Sequence, residues 1–172
     1  MSFTVKGVTI VARQVRGLNV TLCGRQACHS GHVSSLSVSS CHALHVILRG
    51  RGIFRCRGVE HRLAAGDLFL LPPQEKVFYQ ADAADPWACY FFNLVGSDVA
   101  DWMAFAGLST PLVRSGLPEE AMRHFAAAFE AAEKHPSDGF AVVGELLTAV
   151  SRLRPDAGAP APESYTEMAR RY

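Results

Sequence analysis

The stretch GDLFLLPPQEKVFYQADAADPW, Gly66 to Trp87, decides how the whole chain is read. A Gly-Asp turn opens the apolar run Asp67 to Pro73, which Pro72-Pro73 must end at a rim or edge, because neither proline can donate a ladder hydrogen bond. A second run, Lys76 to Ala81, follows, and Asp85-Pro86-Trp87 separates it from a third, Ala88 to Gly96. Upstream the pattern repeats in Ala43–Gly50, Gly52–Gly58 and Glu60 to Leu63, with turns at Gly50-Arg51-Gly52, Arg57-Gly58 and Ala65-Gly66. Short runs rich in Val, Leu, Ile and Phe, divided by Gly and Pro from about Val8 onward, are strands of an all-β sandwich or barrel.

Beyond Gly96 the period changes. Ser97 to Phe105 reads as a short helix. Pro118 at the first helical position, with Glu119 and Glu120 in the first turn, opens a second helix in which Met122, Phe125, Ala126 and Phe129 share a face. Pro136 to Gly139 breaks it from a third, roughly Phe140 to Arg154, with Val143, Leu146, Leu147 and Val150 on a comparable stripe. These stripes pack on the parent domain, and one of them is a candidate subunit interface. PDAGAPAP, residues 155–162, has linker composition, and 163–172, which ends in SYTEMARRY, reads as the start of a further helix.

The expected organisation is therefore a barrel over 1–96, of which 1–17 form an N-terminal arm, a helical segment over 97–154, a linker and the beginning of another unit. The fold class is mainly β, a barrel followed by an α-helical pair.

Composition narrows the function. The 172 residues, 49% of them hydrophobic, suffice for one domain with a core. A formal charge of +1, from 17 Lys and Arg against 16 Asp and Glu, gives no electrostatic reason for this chain to grip nucleic acid by itself. No long apolar run and no secretory leader stand in the sequence, which places the protein in the cytoplasm. Five cysteines, Cys23, Cys28, Cys41, Cys56 and Cys89, form an odd set in apolar surroundings, as reduced and mostly buried thiols do.

The pattern from Gly66 to Pro73 resembles the second sequence motif of the cupin barrels, a resemblance that implies a cupin-like double-stranded β-helix, or jelly-roll, barrel. In metal-binding members that motif continues to a glycine and a histidine ligand, but here those positions hold Gln74 and Val77. The first motif should supply two histidines and a glutamate; counting back meets Ile53, Arg55 and Val59. A metal needs at least three good donors, so none is expected there, and no cofactor is implied. Cys23, Cys28, His29 and His32 lie close in sequence, yet their spacing fits no common zinc motif. Hydrolase elbows, phosphate-binding glycine loops and zincin motifs are absent, so catalysis has no sequence support.

The ordered set CGRQACHSGH, HALHVILRGRGIF, GDLFLLPP, YQADAADPW and YFFNLVG, with GLS at Gly107 to Ser109, is similar to the N-terminal sensor domain of AraC-type transcription regulators. The resemblance implies a barrel that binds a small-molecule effector such as a sugar, a helix pair that forms a homodimer, and DNA binding through a C-terminal helix-turn-helix domain whose first helix SYTEMARRY resembles. It also implies ligand contacts at Tyr79, Cys89 and Phe91, the positions that match sugar contacts in an arabinose-binding member. The arginine and histidine common in the family align with Ser35 and Cys89, which argues against arabinose itself. Tyr79 and Phe91 read equally as core aromatics, whereas His45, a polar residue within an apolar strand, is either aimed into the pocket or a hydrogen-bonded core histidine. Trp87 reads as a packing anchor, His61 as a solvated strand residue, and Arg49 and Arg51 as exposed turn residues. The competing readings are a cupin-type metalloenzyme and a stand-alone small-molecule-binding barrel.

Overall fold

The computed structural model describes residues 4–10, 17–37, 40–109 and 112–153. They form β1 (Thr4–Thr9), β2 (Asn19–Ala27), β3 (Val33–Ser37), β4 (His42–Arg49), β5 (Arg51–Cys56), β6 (Val59–Ala64), β7 (Leu68–Leu71), β8 (Val77–Ala81), β9 (Ala88–Val95), α1 (Val99–Phe105), β10 (Val113–Arg114), α2 (Glu119–Lys134) and α3 (Gly139–Ser151). Two antiparallel sheets face each other: six strands in the order β1-β2-β9-β4-β7-β10, and four in the order β3-β8-β5-β6. The crossing connections make this the jelly-roll barrel that the likeness to the cupin motif implies. Residues 155–172, read above as a linker and the start of a further unit, lie outside the described residues.

The Gly-Asp turn has a physical role. Gly66 takes a φ of 84°, and Asp67 accepts from the Ala64 amide at 2.8 Å and the Gly116 amide at 3.0 Å. One carboxylate thus closes the β6–β7 turn and ties the segment leading to α2 onto the barrel. β7 ends at Leu71, ahead of Pro72-Pro73. Arg57 and Gly58, with φ of 51° and 77°, make the two-residue hairpin turn between β5 and β6 whose twist suits the flanking strands. The Arg57 guanidinium then grips Glu75 with two nitrogens, strapping this hairpin tip to the β7–β8 connection.

Three expectations shift. The N-terminal segment does not stand ahead of the barrel: β1 lies along β2 from Thr4↔Ala27 to Thr9↔Leu22 and forms the edge of the larger sheet. Pro118 is the residue before α2 rather than its first helical one, because its ψ of 143° is extended. The buried stripe of α3 is Val142, Leu146, Ala149 and Val150, with Val143 and Leu147 only half-buried, because the helix leans on α2 as well as on the barrel. On α2, Ala121, Phe125, Ala128, Phe129 and Ala132 are buried, the alanines permitting close approach to α3. Asp138 caps α3 by accepting from the Ala141 amide at 3.1 Å. Among the described residues no helix is long and apolar enough to cross a membrane.

Candidate functional site

The site is built by strands that show one face to the barrel interior and the other to the helices, since successive strand side chains alternate. On β9, Tyr90 meets Phe129 of α2 with ring centroids 5.2 Å apart and Phe92 meets Phe125 at 6.1 Å. Phe91 and Asn93, one residue out of phase, turn inward. On β4, Ala43 and His45 stand directly opposite Asn93 and Phe91 and share that inner face.

These four residues, with Val5 of β1, Gln26 of β2, Leu71 of β7 and Tyr79 of β8, line an open cavity of about 230 Å³ at one end of the barrel. The other end is filled. Trp87 is buried and stacks on Phe69 at 5.4 Å, and Phe69 in turn meets Phe54 at 5.0 Å. Gly52 permits this plug, because a Cβ there would lie 2.5 Å from the Trp87 ring and 2.4 Å from the Gln80 carbonyl. Trp87 is thus the packing anchor that its place in the Asp-Pro-Trp turn implies.

His45 sits between plug and cavity. Its ring stacks on Phe69 at 4.7 Å and 12° from parallel, with Tyr79 at 5.8 Å and Phe91 at 6.1 Å. Nδ1–H donates to the Ala43 carbonyl at 3.4 Å, which leaves Nε2 as a lone-pair acceptor. Burial pushes its pKa down to about 4, so the ring is neutral at physiological pH. It is both things the sequence allowed: a hydrogen-bonded core histidine and a cavity-lining one.

Tyr79 and Phe91 line the cavity beside His45. Cys89 shares the inner face of β9 but does not line the cavity; it is buried between Gln26 and Ile47, and burial pushes its thiol far above the usual range. Two polar lining residues escape the sequence reading, Gln26 and Asn93. Gln26 Nε2 donates to Cys28 Sγ at 3.5 Å, which leaves its carbonyl oxygen as an acceptor, and the Asn93 carboxamide makes no hydrogen bond with the described residues. Their signal was parity: Gln26 is in phase with Gly24, and Asn93 with Cys89 and Phe91.

The cysteine and histidine group of the β2–β3 region is dispersed. Cys23 is buried on the helix side of β2, its thiol raised to about 11 by burial and then by Glu133, whereas His29 and His32 pair with each other in the β2–β3 turn at 3.4 Å. Counting back for cupin ligands had met Ile53 and Arg55, and these face the outside, with Arg55 lying 5.3 Å over the Phe78 ring. The inward positions of β5 are its buried neighbours Phe54 and Cys56. Among the described residues no three His, Cys, Asp or Glu side chains come together as a metal site.

Residues 19–150, which include the cavity strands and the helix pair, match the family model of the AraC-like ligand binding domain. The chain belongs to that family. Relatives of this AraC-like domain include the Msm operon regulatory protein of Streptococcus mutans, 35% identical over 80 residues that make up 46% of this chain and 29% of the relative. The raffinose operon transcriptional regulatory protein of Pediococcus pentosaceus is 33% identical over 77 residues, 44% of this chain and 28% of the relative. The AraC-like domain thus spans less than a third of either regulator. A cupin superfamily protein of Desulfitobacterium hafniense superposes with a TM-score of 0.41 at 13% identity, covering 54% of this chain and 78% of that one.

Proposed function

We propose that this AraC-like domain is the effector-sensing part of a cytoplasmic transcription regulator, and that it is not an enzyme. A small molecule, a sugar or related metabolite, occupies the barrel and controls DNA binding by a helix-turn-helix domain C-terminal to the residues described. The observation that carries the reading is the open cavity, walled by aromatic and apolar side chains and set with a few converging polar groups, as small-molecule sites are. The raffinose operon relative supports a carbohydrate, and Tyr79 and Phe91 supply an aromatic wall against which a sugar face packs.

Signalling has two routes out of the cavity. β9 carries Phe91 on the ligand side and Phe92 on the helix side. β1 carries Val5 at the cavity and Lys6 in an ion pair with Glu133 of α2. Ligand that orders β1 or shifts the helix pair changes how two DNA-binding domains are presented in a homodimer joined through these helices. Couplings of this kind are typically about 1–3 kcal/mol, roughly 5- to 150-fold in occupancy.

The test is a thermal-shift screen against sugars, small acids and amphiphiles, with metal content measured on the same sample. A ligand at 100 times its dissociation constant adds about 2.7 kcal/mol of stability. A metal-free sample that gains stability from a metabolite supports the sensor; stoichiometric metal with turnover and no ligand response refutes it.

A further inference from the structure

We infer, building on the sensor reading, that the cavity selects an uncharged ligand bearing hydroxyl donors, and that Asn93 and Gln26, with His45 as a hydrogen-bond acceptor, are the residues that read it. Among the described residues, no Lys, Arg, Asp or Glu lines the cavity. Three cations of the surrounding strands and turns are committed to ion pairs of their own: Lys6 of β1 with Glu133, Arg51 of β5 with Asp82 at 3.6 Å, and Arg57 of the β5–β6 turn with Glu75. A carboxylate, phosphate or ammonium entering the barrel would lose water without meeting a counter-charge, which is strongly unfavourable.

The polar groups that remain are complementary to hydroxyls. His45 Nε2 can only accept, since Nδ1–H is committed to the Ala43 carbonyl, and burial keeps the ring neutral. The Gln26 carbonyl oxygen likewise accepts, its amide nitrogen being turned to Cys28. Asn93 both donates and accepts. Two acceptors and the Asn93 donor–acceptor, beside Tyr79 with its own hydroxyl, suit a ligand whose every polar atom is an O–H, which serves either role. A site of this kind rejects analogues that leave its polar groups unpaired much more strongly than it rejects changes of apolar size.

The experiment measures binding to this chain by calorimetry with paired probes: the neutral monosaccharides glucose, galactose, xylose and arabinose against glucuronate, galacturonate and glucosamine. At least one neutral sugar is expected to bind tenfold or more tighter than its acidic and amino counterparts. Asn93→Leu should weaken that sugar at least tenfold, and Asn93→Asp should weaken it while strengthening glucosamine; circular dichroism confirms that both variants fold. Equal or tighter binding of a charged counterpart, or a preference unmoved by Asn93→Asp, overturns the assignment while leaving a sensor in place. Failure of every neutral sugar to bind also overturns it. The sensor reading is judged separately, by whether filling the cavity with Ala43→Leu abolishes the metabolite response of a promoter reporter driven by the intact regulator.

Discussion

The ring of Phe91 lies so close over Gly24 that a Cβ added to the glycine would come within 2.5 Å of two ring carbons and 2.6 Å of the Lys6 carbonyl. A glycine inside a strand usually weakens it, but here the missing side chain is the space that lets Phe91 form a wall of the cavity.

Gly24→Ala therefore displaces Phe91 and opens the pairing with β1, with an expected loss of about 1–3 kcal/mol in urea denaturation and weakened ligand binding. Gly7→Ala is the control. Its Cβ would meet Leu22 at an ordinary 3.7 Å, so its stability should stay within about 0.5 kcal/mol of the parent.

His45 gives the domain a predictable acid sensitivity. Its pKa is about 4 in the fold against 6.5 when exposed, so as pH falls below 6.5 the unfolded chain takes up a proton that the folded ring refuses. Stability falls with pH through that window, by about 2 kcal/mol at pH 5 and roughly 3 kcal/mol once the folded ring also titrates. His32 and His42, lowered by burial, act in the same direction. Denaturation at pH 7.5 and pH 5 should show a smaller loss in His45→Phe than in the parent; an identical loss would remove His45 from the account.

The ion pair between β1 and α2 is a weak tether, because the Lys6 side chain is 69% exposed. Lys6→Ala should cost less than about 1 kcal/mol. Removing residues 1–10 is a larger change: it strips the edge strand from β2 and should speed amide exchange over Leu22 to Ala27. If exchange there is unaltered, β1 does not hold the sheet edge in solution.

Phe125 anchors the helix pair. It is buried without measurable exposure against Phe92, so Phe125→Ala should cost about 3–5 kcal/mol by denaturation, whereas breaking the exposed Arg152–Glu120 pair with Arg152→Ala should cost less than about 1 kcal/mol.

Much of this architecture is legible in the chain. Gly66-Asp67, Pro72-Pro73 and Arg57-Gly58 are punctuation whose backbone demands few alternatives satisfy, and the runs they bound become strands with ends moved by a residue or two. What escaped lacks local signal. β2 was hidden because CGRQACHSGH draws attention to its thiols and histidines, while its strand character depends on pairing with β1 and β9 far away in sequence. β10, two residues long, exists only because β7 offers Phe69 and Leu68 as partners. In the site, Tyr79 and Phe91 are found through the resemblance to an arabinose-binding member and His45 by its polar type in an apolar strand, whereas Asn93 and Gln26 look ordinary until the pleat shows which way each points. Cys89 points the right way but sits toward the filled end.

The one-residue alternation along β9 has a consequence for how such a domain diversifies. Residues 91 and 93 face the cavity and residues 90, 92 and 94 face the helix seat, so the strand carries two interleaved vocabularies that can be rewritten independently. Lineages, or engineers, can exchange the odd positions to reshape the cavity while the even positions keep the helix pair seated as before.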